Sequence, residues 1–174
     1  MTPLLLTKRG RTAAKKPVDA ARRADPGSAE FALADSPLYL LVRTAARYEL
    51  EMDEALRKVG MDLPSWRALM LVHERSPSSV SQISERSVSK LSTMTRVIQR
   101  LEERALVRLS QRESDARVTD VYITPAGERA ARTVRETASR IYAVAMRDCS
   151  PGQIASLVSS LKLIYESLAG QPPD

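Results

Sequence analysis

At 174 residues, with 43% apolar and 28% charged side chains, the chain has room for one domain plus an arm or loose ends, and its 4% aromatics leave the core to Leu, Val, Ile, Ala and Met. No apolar run nears the ~20 residues of a membrane span, the triplet Leu4-Leu5-Leu6 is too short for a secretion signal and runs into Lys8 and Arg9, and the lone Cys149 excludes an internal disulfide and the common cysteine metal sites. The lone cysteine suits a reducing cytoplasm, and the formal charge of +6 sits in two islands, residues 1–30 and 86–117, each carrying +4 on a body otherwise slightly acidic, which is the footprint of a protein that meets a polyanion.

Residues 1–34 carry Arg, Lys, Ala and Pro without an apolar period and read as a disordered basic tail. A single domain is expected over 35–170. It opens at Ser36-Pro37, a preferred N-cap followed by a residue whose missing N–H costs nothing in the first turn. One helix then runs to Gly60, and a second follows Asp62 and Pro64 with Trp66, Leu69, Met70 and His73 at helical spacing. Ser79 and Gln82 form a capping box for a short helix ending at Arg86. After the turn Val88-Ser89-Lys90, a longer helix places Leu91, Met94, Val97, Ile98 and Leu101 on one stripe. Ser92, Thr93, Thr95, Arg96, Gln99 and Arg100 fall on the other face. Beyond Ala105 the period drops to two, giving strands at 106–109 and 118–123 around a charged loop, 110–117. Thr124-Pro125 opens a helix to about Asp148. Ser150 and Gln153 form a second capping box for a last helix whose Ile154, Leu157, Val158, Leu161, Ile164 and Leu168 share a face.

Helix, turn, helix, strand, charged loop, strand is the order of a winged helix-turn-helix, a mainly α fold with a small β wing. Its chemistry is physical. Compact Ser and Thr side chains, Gln and Arg on an exposed helix face can hydrogen-bond base edges in the major groove, and a charged hairpin can lay a guanidinium along the minor groove or the phosphates. On charge alone Arg96, Arg100, Arg112 and Arg117 are candidates to reach phosphates of duplex DNA.

Residues 77–132 resemble the multiple antibiotic resistance regulator (MarR) family. The resemblance rests on the short helix with Ile83, the Ser92-Thr93-x-Thr95-Arg96 start of the recognition helix and the Arg100-Leu101-Glu102 run before Leu106-Val107. It also rests on Asp115-x-Arg117 and on Ile123-Thr124-x-x-Gly127. It implies a bacterial, cytoplasmic, DNA-binding homodimer that acts as a ligand-responsive repressor on a palindromic operator. Residues 62–124 would form the DNA-binding lobe, and 36–60 and 125–169 the dimerisation helices. Asp115 would orient Arg117 toward the minor groove while Ser92, Thr93, Thr95, Arg96 and Gln99 face the major groove. Ala105 stands where the family usually has Gly, so a turn at negative φ is expected there.

The family also implies a small aromatic acid bound between the dimer helices and the DNA-binding lobe. Tyr39, Arg43, Arg47 and Tyr48 on the first helix and Trp66, Met70 and His73 on the second are the candidates, with Trp66 more readily read as core and His73 equally readable as a partly exposed helix residue. Residues 36–70 resemble the nicotinate-catabolism repressors within the family, which implies a hydroxylated pyridine carboxylate as effector. The family's peroxide sensors carry their thiol in the first helix, so Cys149 reads as inert. No metal or bound cofactor is expected, and neither a Gly-rich cofactor loop nor a catalytic constellation favours an enzyme. The competing reading is a winged-helix dimerisation or protein-interaction module without DNA binding, which has no need of a basic wing or a polar recognition face.

Overall fold

In a computed structural model residues 19–170 are described, and they fall into two units divided between Arg47 and Tyr48, inside one long helix. In the first unit Asp19 caps α1 (Ala20–Ala24), accepting the Ala21 N–H at 3.1 Å. The chain then doubles back so that the Ala32 N–H donates to the Arg23 carbonyl at 3.0 Å. Arg22 pairs with Glu30, and Arg23 with Asp35. A 3-10 turn at Leu33–Asp35 leads into α2 (Pro37–Arg57), where Ser36 takes the Tyr39 N–H at 3.5 Å, as the Ser-Pro signal predicts. The disordered-tail expectation therefore fails for residues 19–34, while residues 1–18 lie outside the described residues. The acidic side chains that merely offset charge in the sequence serve here as a cap and as ion-pair partners.

In the second unit the end of α2 is followed by α3 (Leu63–Glu74), β1 (Ser78–Ser79), α4 (Val80–Arg86) and α5 (Leu91–Glu103). Then come β2 (Val107–Arg112), β3 (Asp115–Ile123), α6 (Pro125–Ala145) and α7 (Pro151–Ala169). Both capping boxes form as read, at Ser79/Gln82 and Ser150/Gln153. One core joins Met52 and Leu56 of α2, Leu69 and Val72 of α3 and Ile83 of α4 to Met94, Val97, Ile98 and Leu101 of α5. Val121 closes it from the sheet and Val134 from α6. Leu91 departs from the expected stripe. It lies in the first turn of α5 and is 54% exposed.

The sheet is antiparallel in the order β1-β3-β2. Its strands reach further than the hydropathy period suggests: most of the loop expected at 110–117 is strand, leaving only Glu113 and Ser114 as the turn. A two-stranded arm with both faces largely in water has no apolar alternation to reveal it. Between Gln111 and Arg112 the register shifts. Gln111 lies opposite Thr119 but Arg112 lies opposite Asp115, so Ala116, Arg117 and Val118 are extruded as a bulge.

Three helices end in the same left-handed turn, in which two N–H groups beyond the helix return to its last carbonyls. Met61 donates to Leu56, Ser89 to Ser84 and Leu106 to Leu101, at 3.0, 3.1 and 2.9 Å. The left-handed residues are Gly60 (φ 69°), Val88 (φ 51°) and Ala105 (φ 55°). The expectation of negative φ at Ala105 is thus overturned, since the closing bond from Leu106 to Leu101 requires the positive one.

The turn leads to a close junction. Thr124 caps α6, accepting the Gly127 N–H at 3.0 Å. A Cβ built on Gly127 would lie 2.1 Å from the Leu106 carbonyl oxygen. By contrast α7 buries no residue, and Leu157, Val158, Leu161, Leu163, Tyr165 and Leu168 are all at least 36% exposed. No helix among the described residues is long and apolar enough to cross a membrane.

Two substitutions test this backbone reading at fixed protein concentration. Ala105→Gly is expected to raise stability by about 0.5–1 kcal/mol, because the left-handed penalty of roughly 1–2 kcal/mol exceeds glycine's extra chain entropy. Gly127→Ala is expected to lower it by about 1–3 kcal/mol through overpacking. Urea midpoints with unchanged slopes measure both, and a destabilised Ala105→Gly contradicts the strain assignment.

Candidate nucleic-acid interface

The amphipathicity of α5 sets the candidate surface. Met94, Val97, Ile98 and Leu101 are at most 2% exposed, which fixes the rotation of the helix and turns Ser92, Thr93, Arg96 and Gln99 outward. Arg96 has no hydrogen-bond or ion-pair partner among the described residues. Thr95 lies on the same side, but its hydroxyl donates to the Leu91 carbonyl at 2.9 Å and keeps only its lone pairs for a partner. Arg100 turns the other way. Its Nη2 donates to the Asp62 carboxylate at 3.1 Å, joining the end of α5 to the N-cap of α3. Burial pushes the Asp62 carboxyl up, and bonds from Ser65 with the nearby Arg100 and Arg104 more than reverse this, so it lies below its usual value.

The wing stands beside α5, and the two are tied together where the Leu109 N–H donates to Glu102 Oε1 at 3.1 Å. In the bulge Asp115 takes both the backbone N–H and the Nε–H of Arg117, at 3.1 and 3.0 Å, and a longer contact from Nη2 at 3.3 Å. The Arg117 side chain is nevertheless 91% exposed, so the carboxylate aims it without covering it. Arg112 is placed otherwise than expected. Its Nε and Nη2 donate to Asp120 at 3.0 and 2.6 Å, so most of its hydrogen-bonding edge is committed inside the wing. Arg108 lies 4.4 Å above the Tyr122 ring, a cross-strand cation–π pair on the arm.

The candidate effector residues divide between the units. Tyr39 and Arg43 stand exposed on the N-terminal unit. Trp66, Met70 and His73 line one cleft of about 640 Å³ on the C-terminal unit, together with Arg67, Arg86 and Arg135. Trp66 serves both of its readings: it packs against the core and presents its indole to the cleft, where the buried Nε1 has no partner among the described residues. His73 Nδ1 lies 2.9 Å from Glu128 Oε2, an ion-pair distance without hydrogen-bond alignment. Arg67 pairs with Glu49 and Arg86 with Glu74, each at 2.6 Å, which leaves Arg135 as the cleft's unpaired cation among the described residues. The sequence reading missed Arg135. Its only signal was a position on the cleft side of α6, one residue from the buried Val134.

These features have relatives. The pattern of the MarR family matches residues 61–119, the span from α3 to the wing. The HTH-type transcriptional repressor IacR of Pseudomonas putida is 33% identical over 83% of this chain and 86% of its own length. A MarR-family regulator from Silicibacter pomeroyi superposes with a TM-score of 0.73 at 19% identity, covering 82% of this chain and 96% of that one. BpsR of Bordetella bronchiseptica, solved to explain regulation of its DNA binding by 6-hydroxynicotinic acid, gives 0.66 at 20% identity, over 73% of this chain and 96% of its own. The chain belongs to the MarR family and is a transcriptional regulator.

The wing carboxylates predict an acid response. The Arg112 bonds hold the Asp120 carboxyl below its usual value, and the Arg117 bonds do the same for Asp115. A lowered folded value contributes stability above the unfolded value near 4 that is lost as pH falls through the folded one. Stability is therefore expected to be level in this respect from pH 7 to about 5, and Asp120→Asn to flatten the fall below pH 4. An acid limb of unchanged slope in that variant contradicts the assignment.

Proposed function

We propose that this MarR-family regulator is a cytoplasmic, homodimeric repressor that reads a palindromic operator with α5 and its wing and is released by a small aromatic carboxylate. The observation that carries the reading is the division on α5: an apolar stripe buried to within 2%, and a face of hydroxyl, amide and guanidinium groups left without cover beside an outward Arg117. Ser92, Thr93, Thr95, Arg96 and Gln99 approach base edges in the major groove, and Arg117, aimed by Asp115, reaches the minor groove or its phosphates. Arg100, tied to Asp62, lies at the margin of this surface.

Residues 62–124 are the DNA-binding lobe, and 36–60 with 125–169 the dimerisation helices. Support comes from large apolar side chains left exposed among the described residues: Leu38, Leu40 and Val42 on α2, Val144 on α6, and the exposed face of α7. Support for an aromatic acid comes from the cleft itself, where Arg135 suits a carboxylate, Trp66 and Met70 a flat ring, and the free indole N–H a ring hydroxyl or carbonyl. A hydroxylated nicotinate meets all three demands. Tyr39 and Arg43, on the first helix in the N-terminal unit, are candidates for aromatic and carboxylate contacts in their own right.

A gel-shift titration on the chain's own promoter duplex and on a scrambled duplex tests this. Log affinity should fall steeply with log salt, by about 0.9 per neutralised phosphate. Arg117→Ala should weaken both duplexes alike, whereas Gln99→Ala should cost about 1–3 kcal/mol on the promoter only. Adding 6-hydroxynicotinate should release the promoter and change the fluorescence of Trp66, the only tryptophan. Binding that is flat with salt, or an Arg117→Ala variant that binds as wild type, contradicts the DNA reading. Release without any change in Trp66 fluorescence contradicts the cleft.

A further inference from the structure

Arg112 and Asp120 do something the wing's charge does not explain. The bulge leaves Ala116, Arg117 and Val118 unpaired between Asp115, opposite Arg112, and Thr119, opposite Gln111. An extruded segment of three residues on a two-stranded arm has no ladder bonds of its own to fix its direction. The Arg112 guanidinium spans that gap. Its Nε and Nη2 grip both carboxylate oxygens of Asp120, on the far side of the bulge, at 3.0 and 2.6 Å.

Asp120 is a firm anchor. Its residue is 6% exposed, and its backbone lies in the centre of the sheet, opposite Ser110 on β2 and Ser79 on β1. Ser79 is also the N-cap of α4, accepting the Gln82 N–H. The chain of connections therefore runs from the wing tip through Arg112 and Asp120 to the first residue of the helix-turn-helix. A fork-shaped guanidinium on a carboxylate fixes direction as well as distance, which an ammonium in the same place does not.

We propose that Arg112 and Asp120 are positioning residues for DNA binding: their bidentate pair clamps the bulge across its base, so that Asp115 can present Arg117 to the duplex in one pose. Arg112 is then a brace for the arginine that touches DNA and not itself the phosphate ligand its charge suggests. The clamp rests on the DNA-binding reading above, and it makes predictions whose signs differ from those of simple charge.

The test uses the full chain with the promoter and scrambled duplexes at two salt concentrations. Asp120→Asn removes a negative charge from the DNA-binding face, so electrostatics alone tightens binding; the clamp predicts weaker binding. Arg112→Lys keeps the charge and suffices for a phosphate contact; the clamp predicts a loss of at least about tenfold, the scale of one charge-assisted hydrogen bond. The Arg112→Lys/Arg117→Ala double variant should bind within about twofold of Arg117→Ala alone, because a brace has nothing left to aim. Arg112 is part-exposed, so if Asp120→Asn fails to fold, the Lys variant and the double variant decide. Tighter binding by Asp120→Asn, wild-type binding by Arg112→Lys, or additive losses in the double variant overturn the clamp while leaving the DNA reading intact. A wild-type chain that binds neither duplex overturns both.

Discussion

The backbone carbonyl of Leu106 is the point on which α5, the wing and α6 all bear. The Thr124 N–H donates to it at 3.1 Å, and the Thr124 hydroxyl shares its hydrogen between it and the Ala105 carbonyl, at 3.1 and 2.7 Å. That same hydroxyl accepts the Gly127 N–H and so starts α6. Only a residue without a Cβ leaves room for this approach. Buried backbone groups must find partners, and here one threonine and one glycine satisfy the end of α5, the start of β2 and the start of α6 together. Ala105 bears the conformational cost of the arrangement, held at φ 55° by the bonds on either side of it.

From that junction the division of labour among the charged side chains follows. A cation held by a carboxylate within the chain has spent hydrogen bonds that a phosphate would otherwise receive, whereas an unpaired or merely aimed cation has not. Arg100 on Asp62 and Arg112 on Asp120 belong to the first kind, and Arg96 and Arg117 to the second. Exposed pairs contribute little stability singly, about 0–1 kcal/mol. Their value here is in direction: Arg100 sets α5 against α3, and Arg112 holds the arm. In the cleft the same contrast separates Arg67 and Arg86, which have carboxylate partners, from Arg135, which has none among the described residues.

Much of this was legible in the sequence because it is local. Both capping boxes, the Thr124 cap and the burial of Met94, Val97, Ile98 and Leu101 depend on spacings of three and four residues, and they hold as read. The Asp115–Arg117 pair was expected from the family resemblance rather than from any spacing rule, and the bond forms. What escaped depends on tertiary context. The length of β2 and β3 escaped because a solvated arm has no apolar alternation, and the commitment of Arg112 because Asp120 lies across a bulge that no period reveals. The order of residues 19–34 escaped because its ties, the Arg22–Glu30 and Arg23–Asp35 pairs and the Ala32 N–H on the Arg23 carbonyl, join residues eight to twelve apart. At Ala105 the bond from Leu106 to Leu101 overrode the residue's own preference for negative φ.

The claim at the centre of this account is that α5 and the wing touch DNA as one rigid unit in each protomer of a dimer. Hydroxyl-radical footprinting of the promoter duplex reads this most directly, because it maps sugar protection strand by strand. Two symmetric protected regions, their centres about one or two helical turns of roughly 10 bp apart, are expected, each flanked by a minor-groove protection that disappears in Arg117→Ala. A single unpaired footprint, or flanking protection that survives the loss of Arg117, contradicts it.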